Sequence, residues 1–177
     1  MMRYMKTVVL YSSKHDTTYS IAKHISLALD ADVCTVDEFD TETLNSFDAI
    51  VLGGPIYGGA LYGPIDIFCR NNLEELLTKK VTLFVCGLNS SSSKQQHLLR
   101  SAFLRPLLTH AVSAEFVGGA INLSKLSTPE KLLVKTTMKI NRDYTAIDQP
   151  AIDRLIDSLQ SSNEQQDQND SAQNATK

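Results

Sequence analysis

The chain has 177 residues and a formal net charge of −3, from 17 basic and 20 acidic side chains. That length suits one domain with a continuous buried core, and the near-neutral balance excludes a polybasic nucleic-acid-binding surface. No apolar run approaches the length of a membrane span. Cys34, Cys69 and Cys86 are widely spaced, with no Cys-x-x-Cys pair and no clustered histidines; they indicate neither a disulfide framework nor a zinc site, and are expected to be reduced thiols of a cytoplasmic protein.

Taken in chain order, the segment Met1 to Tyr11 passes from Arg3 and Lys6 straight into a strand, Val8 to Tyr11, without a signal-peptide core. Thr18 to Leu29 then sets Ile21, Ala22, Ile25, Ala28 and Leu29 on one helical face. Val33 to Val36 and Ala49 to Leu52 read as strands, and Ile65, Phe68, Cys69, Leu73 and Leu76 as the next helical stripe. A buried strand is expected over Val81 to Cys86, a helix interrupted near Pro106 over Gln95 to Leu108, and a fifth strand over Ala114 to Val117. Ser127-Thr128-Pro129-Glu130 has capping-box spacing with a proline just inside, so a helix should start there. Ile152, Leu155, Ile156 and Leu159 mark the last helix. From Gln160 to Lys177 the chain is rich in Gln, Ser, Asn and Asp and carries a net charge of −2 of its own, which predicts a disordered polar tail (160–177) after one domain (1–159) with a nearly neutral body.

Strands apolar on both faces and separated by helices imply a parallel sheet covered on both sides. With right-handed crossovers, the expected fold is α/β: a doubly wound five-stranded parallel sheet of order 2-1-3-4-5 with helices on both faces. Ligands of such sheets bind at the carboxyl ends of the strands, so three loops matter. The first, Ser12-Ser13-Lys14-His15-Asp16-Thr17-Thr18, has hydroxyls and no glycine, which rules out a dinucleotide-binding turn and a Walker-type phosphate loop. It suits a single phosphate at a helix N-terminus, and equally suits a loop whose side chains merely cap that helix. In the second, Gly53-Gly54-Pro55-Ile56-Tyr57-Gly58-Gly59, glycines let backbone approach a flat ligand and Tyr57 can stack on it; a plain Gly/Pro turn is the alternative. The third, Gly87-Leu88-Asn89 and the serines after it, either lines a ligand or simply connects. Cys86 beside these loops reads as a small buried strand residue.

The run Val9 to Ile25 resembles the flavodoxin signature: two apolar residues, an aromatic, spaced hydroxyls, then Thr17, Ala22 and an aliphatic in register. Asp16 departs from it, standing where the signature has a small residue; its carboxylate would lie near a phosphate, with Lys14 and His15 as the cations available to offset it. Gly53 to Gly59 is similar to the family's second flavin loop. Gly118 to Leu126 followed by Glu130 to Lys135 resembles the branch that includes the menaquinone-dependent protoporphyrinogen oxidases. The stretch from Asn89 to Gly118 is shorter and less basic than in the porphyrin-oxidising members, a departure that bears on the substrate more than on the flavin.

The resemblance implies FMN as cofactor, with Ser12, Ser13, Lys14, His15, Asp16, Thr17 and Thr18 around its phosphate. Gly53, Gly54, Pro55, Ile56, Tyr57 and Gly58 would flank the ring, and Gly87, Leu88 and Asn89 would meet its polar edge. It implies an FMN-dependent oxidoreductase, quinone- or protoporphyrinogen-linked, with no dedicated catalytic residue and no metal. An electron-carrier flavodoxin is the first alternative, although such carriers are usually strongly acidic and this body is not. A domain that has lost tight flavin binding is the second. A receiver-type signalling domain needs acids where Ser12, Ser13 and Gly53 stand. Lys131, Lys135 and Lys139 fall on one helical face beside Leu132, Leu133, Val134 and Met138, a pattern suited either to peripheral contact with an anionic membrane at its inner face or to a solvated lysine face over a core stripe.

Overall fold

The computed structural model describes residues 5–88 and 91–174, with side chains as far as Ser162. The elements are β1 (Thr7–Tyr11), α1 (Asp16–Leu29), β2 (Asp32–Thr35), a 3-10 turn (Thr41–Ser46), β3 (Ala49–Tyr57), β4 (Ala60–Leu61), α2 (Gly63–Asn71), α3 (Leu73–Leu76), β5 (Lys80–Cys86), α4 (Ser92–Ala102) and α5 (Arg105–His110). They continue with β6 (Ser113–Phe116), β7 (Gly118–Ile121), a 3-10 turn (Leu123–Lys125), α6 (Thr128–Leu133), a wider turn of π type (Val134–Met138), β8 (Tyr144–Ile147) and α7 (Gln149–Asn174). Five strands run parallel in the order β2-β1-β3-β5-β6. With the short β4 set aside, this is the expected 2-1-3-4-5 arrangement.

Strand periodicity divides the core in two. Val8, Leu10, Ile50, Leu52, Leu83 and Val85 face α2 to α5, where Ile65, Phe68, Leu76 and Leu107 cover them. Val9, Val51, Phe84 and Cys86 face the other way, onto Ile21, Ala22 and Ile25 of α1 and Ile152, Leu155 and Leu159 of α7. The break between α4 and α5 falls at Phe103 and Leu104, and Pro106 sits in the first turn of α5, where its missing N–H costs nothing. α7 runs to Asn174, past the Gln160 at which the polar tail was expected to begin; its apolar positions end at Leu159, and the residues beyond include no glycine or proline to stop a helix.

Three further features differ from the sequence reading. β3 does not end at Leu52. It continues through Gly53, Gly54 and Pro55, which pair with Phe84, Val85 and Cys86, and turns back into the antiparallel β4 at Gly58 and Gly59, both at positive φ. The Phe84 ring fills the space a side chain at Gly53 would need, with a Cβ there only 2.0 Å from it, so this glycine serves strand packing rather than a loop. Second, residues 118–147 leave the sheet edge as an excursion: β7 and β8 form their own antiparallel ribbon, and α6 lies between them. Third, Leu132, Leu133 and Met138 do not form a core stripe; Leu132 and Leu133 are 65% and 64% exposed.

The excursion depends on Gly118, whose φ is +72° and whose added Cβ would lie 1.9 Å from the Ala146 carbonyl oxygen. Gly118→Ala should therefore cost about 2 kcal/mol or more of folding stability, combining a disfavoured backbone with a clash that only moving β8 relieves. Urea denaturation of the two proteins measures it, and an unchanged midpoint would contradict the ribbon geometry.

Candidate functional site

The carboxyl ends of β1, β3 and β5 bring the predicted loops together. Ser12 follows β1 directly, and its N–H donates to the Gly53 carbonyl at 3.2 Å, which ties the first loop to β3. The Ser12 side chain is buried and its Oγ, like the Thr82 hydroxyl within β5, has no hydrogen-bond partner among the described residues; of the two, Ser12 is the one at the loop. A Cβ on Gly54 would lie 2.7 Å from Ile65 Cγ2 and 3.3 Å from the Ser12 oxygen, so the glycine is required by packing beside it. A buried hydroxyl left unpaired is costly unless something else supplies its bond. α1 begins four residues on, at Asp16, and no side chain of the preceding His15 caps it, so the N–H groups of its first turn and the helix dipole face the same loop. Ser13 Oγ donates to the His15 carbonyl. Thr18 is buried; burial pushes the Cys86 thiol up to about 12, so it stays neutral, with Thr18 a lesser opposing influence.

The excursion closes over this loop from the other side. Lys14 Nζ lies 2.6 Å from Glu130 Oε1, and His15 Nε2 lies 3.5 Å from the same oxygen. Glu130 also accepts from the Ser127 N–H at 2.9 Å and the Ser127 hydroxyl at 2.6 Å, the capping box foreseen at the start of α6. Lys14 and Ser127 together hold the Glu130 carboxyl down to about 2. Asp16 pairs with Lys125, whose hydrogen bond and charge hold the Asp16 carboxyl below its ordinary value. Thr17 Oγ1 donates to the Ala120 carbonyl at 3.3 Å. Lys14 and His15 both face Glu130, and the cation hydrogen-bonded to Asp16 is Lys125, with a smaller favourable charge contribution from His15. These partners are 109 and 116 residues apart in sequence, so no local pattern pointed to Lys125 or Glu130 as site residues.

The second loop is split by the longer β3. Gly53, Gly54 and Pro55 are buried in the strand, Ile56 is half-buried, and Tyr57 and Gly58 are exposed at its tip. The Tyr57 ring meets Tyr62 edge-on at 5.6 Å and has Lys14 Nζ 6.0 Å from its centroid, while burial pushes its hydroxyl up to about 12. In the third loop the Gly87 N–H donates to the Gly118 carbonyl at 2.9 Å, linking it to β7; Leu88 is half-buried, and Asn89 lies outside the described residues. A shallow groove of about 290 Å³ opens beside the first loop between Lys14, Asp16, Tyr11 and Tyr19. Lys131, on α6, is half-buried; Lys135, on the π-type turn, and Lys139, just past its end at φ +55°, are exposed, so the three lysines do not lie on one continuous α-helix as expected, although Leu132, Leu133 and Met138 are exposed among them. Among the described residues no helix is long and apolar enough to cross a membrane.

A family model described as a flavodoxin domain matches residues 8–148. No curated protein matches the sequence. Among solved structures, a Fusobacterium nucleatum flavodoxin bound to flavin mononucleotide is 17% identical, with 91% of this chain and 98% of that one covered and a TM-score of 0.48. An oxidised flavodoxin 2 from Bacillus cereus is 29% identical over 56% of this chain and 78% of its own, with a TM-score of 0.43. A Lactobacillus acidophilus flavoprotein in complex with FMN is 16% identical, covering 64% and 91%, with a TM-score of 0.45.

The low Glu130 pKa has a pH signature. A carboxyl whose folded pKa is depressed stabilises the fold above its unfolded value of 4.5 and loses that contribution as the pH falls toward 2. The melting temperature of the wild type should therefore exceed that of Glu130→Gln by a constant small margin above pH 4.5, and the margin should close between pH 4.5 and 2. A margin that does not vary with pH would mean that Lys14 and Glu130 do not pair.

Proposed function

The chain belongs to the flavodoxin-domain family, and on that premise we propose that it is an FMN-dependent oxidoreductase whose cofactor sits at the carboxyl ends of β1, β3 and β5. The observation that carries this reading is the buried, unpartnered Ser12 hydroxyl beside the uncapped N-terminus of α1. A phosphate monoester supplies acceptor oxygens for both, and the residues present fit it. In this reading Ser12, Ser13, Lys14, His15, Asp16, Thr17 and Thr18 form the phosphate loop. Tyr57, with the backbone of Gly53 to Gly58, borders the ring and excludes water from it. Gly87, Leu88 and Asn89 meet the ring's polar edge. Bound FMN would supply reversible electron and hydride transfer, and the side chains hold and orient it without taking up a proton themselves.

We take the electron acceptor to be a quinone or the donor a porphyrinogen, and the domain to be residues 1–159. The nearly neutral body favours an enzyme over an acidic carrier docking on basic partners. Leu132 and Leu133, exposed beside Lys131, Lys135 and Lys139, favour peripheral contact with the anionic cytoplasmic face of a membrane, where quinones dissolve. A flavodoxin-type electron carrier without its own substrate is the second reading; it predicts reduction by a partner reductase and no turnover of quinone or porphyrinogen.

The purified protein should quench FMN fluorescence and give the visible spectrum of a bound flavin, and Ser12→Ala should weaken FMN about tenfold or more, since it removes a hydrogen bond to a charged group. A colourless protein that leaves FMN fluorescence untouched would end the proposal. On vesicles containing phosphatidylglycerol the protein should float, and Leu132→Ser/Leu133→Ser should stay at the bottom of the gradient; equal flotation of both would remove the membrane contact.

A further inference from the structure

Asp16 puts a carboxylate in the first turn of α1, within a loop that also has to accept a phosphate carrying nearly two negative charges. The excursion answers this with opposite charge. Lys125, at the end of the 3-10 turn Leu123–Lys125, pairs with Asp16. That turn is itself fixed: the Leu123 N–H donates to Asp143 Oδ1 at 2.8 Å, and Asn122 Oδ1 accepts from the Ser124 N–H at 3.0 Å. One residue from Asp16, Thr17 holds the carbonyl of Ala120. Lys125 therefore reaches Asp16 from a held backbone and not as a loose surface side chain. Lys14, the loop's own lysine, is engaged by Glu130 and does not take this part.

We propose that Lys125 is a positioning residue for the flavin phosphate: it neutralises Asp16 and turns that carboxylate away, so that a loop with an acid in it accepts a phosphate ester. The inference rests on the FMN reading and deepens it, because it assigns part of the phosphate site to the 118–147 excursion. It accounts for Asp16 as one half of a pair whose other half lies far along the chain. It also makes a distinction between ligands. Riboflavin has the same ring and no phosphate, so the charge on Asp16 should leave its binding alone, whereas a residue that merely props the site open would affect both.

The test is fluorescence titration of the apoprotein with FMN and with riboflavin. Lys125→Ala should bind FMN about fivefold more weakly, the scale of one exposed ion pair, and riboflavin as the wild type does. Asp16→Asn added to Lys125→Ala should restore FMN binding, because the carboxylate that needed a partner is gone. An equal loss for both ligands in Lys125→Ala, no loss for either, or no recovery in the double variant would overturn the inference while leaving the flavin site standing. A wild type that binds neither ligand would overturn the FMN reading itself, and the inference with it. Both substituted side chains are exposed, and a melting curve for each variant confirms that it is folded.

Discussion

A parallel sheet whose central strands are apolar on both faces has to be covered twice, and everything else in this molecule follows from how that is done. Val8, Leu10, Ile50 and Leu52 look one way, and Val9 and Val51 look the other, so neither helical layer can be dispensed with. β1, β3 and β5 are the strands with no solvent face, and their carboxyl ends are therefore the place where backbone leaves a fully buried environment abruptly. Loops leaving those ends converge because the strands are adjacent, not because their sequences are related. The site is a consequence of the layering.

The close approach of β3 and β5 sets the shape of that end. Gly53 exists because the Phe84 ring lies where its side chain would be, and a side chain at Gly54 would meet Ile65 and the Ser12 hydroxyl. Both glycines thus act as packing residues, Gly53 under Phe84 and Gly54 under Ile65. Two buried hydroxyls lack a partner among the described residues, those of Ser12 and Thr82, and the Ser12 hydroxyl stands where an anion at the N-terminus of α1 would supply one.

The excursion over residues 118–147 adds a second layer of control. Its inner side meets the first loop through Lys125, Glu130 and the Ala120 carbonyl, while its outer side carries exposed leucines among lysines. Each ion pair is exposed and individually weak. They are arranged in opposite senses: the loop gives a cation to Glu130 and an anion to Lys125. The same short helix that holds Lys14 through Glu130 presents Leu132 and Leu133 to solvent. A contact on the outer side and the charge pattern on the inner side thus share one rigid turn.

Much of this was readable from residues alone. The apolar strands, the stripes of α1, α2 and α7, the capping box of Ser127 and Glu130 and the strand order all depend on local periodicity and on the few ways to cover a parallel sheet, and these are properties of neighbouring residues. The first loop was recognisable because its hydroxyls sit at fixed spacing in one short segment. What the tertiary structure alone decided were the relations between distant segments. Gly53 and Gly54 read as loop residues because a Gly-Gly-Pro run ordinarily marks a turn; they lie in the strand, where Phe84 of β5 occupies the missing side chain's volume at Gly53 and Ile65 of α2 crowds it at Gly54. No local pattern singled out Lys125; folding sets it against Asp16. Short-range patterns carry the elements, because backbone hydrogen bonding and burial are local in sequence. The partner of a charge is set by which loops a chain of this topology brings together, and no spacing rule records that.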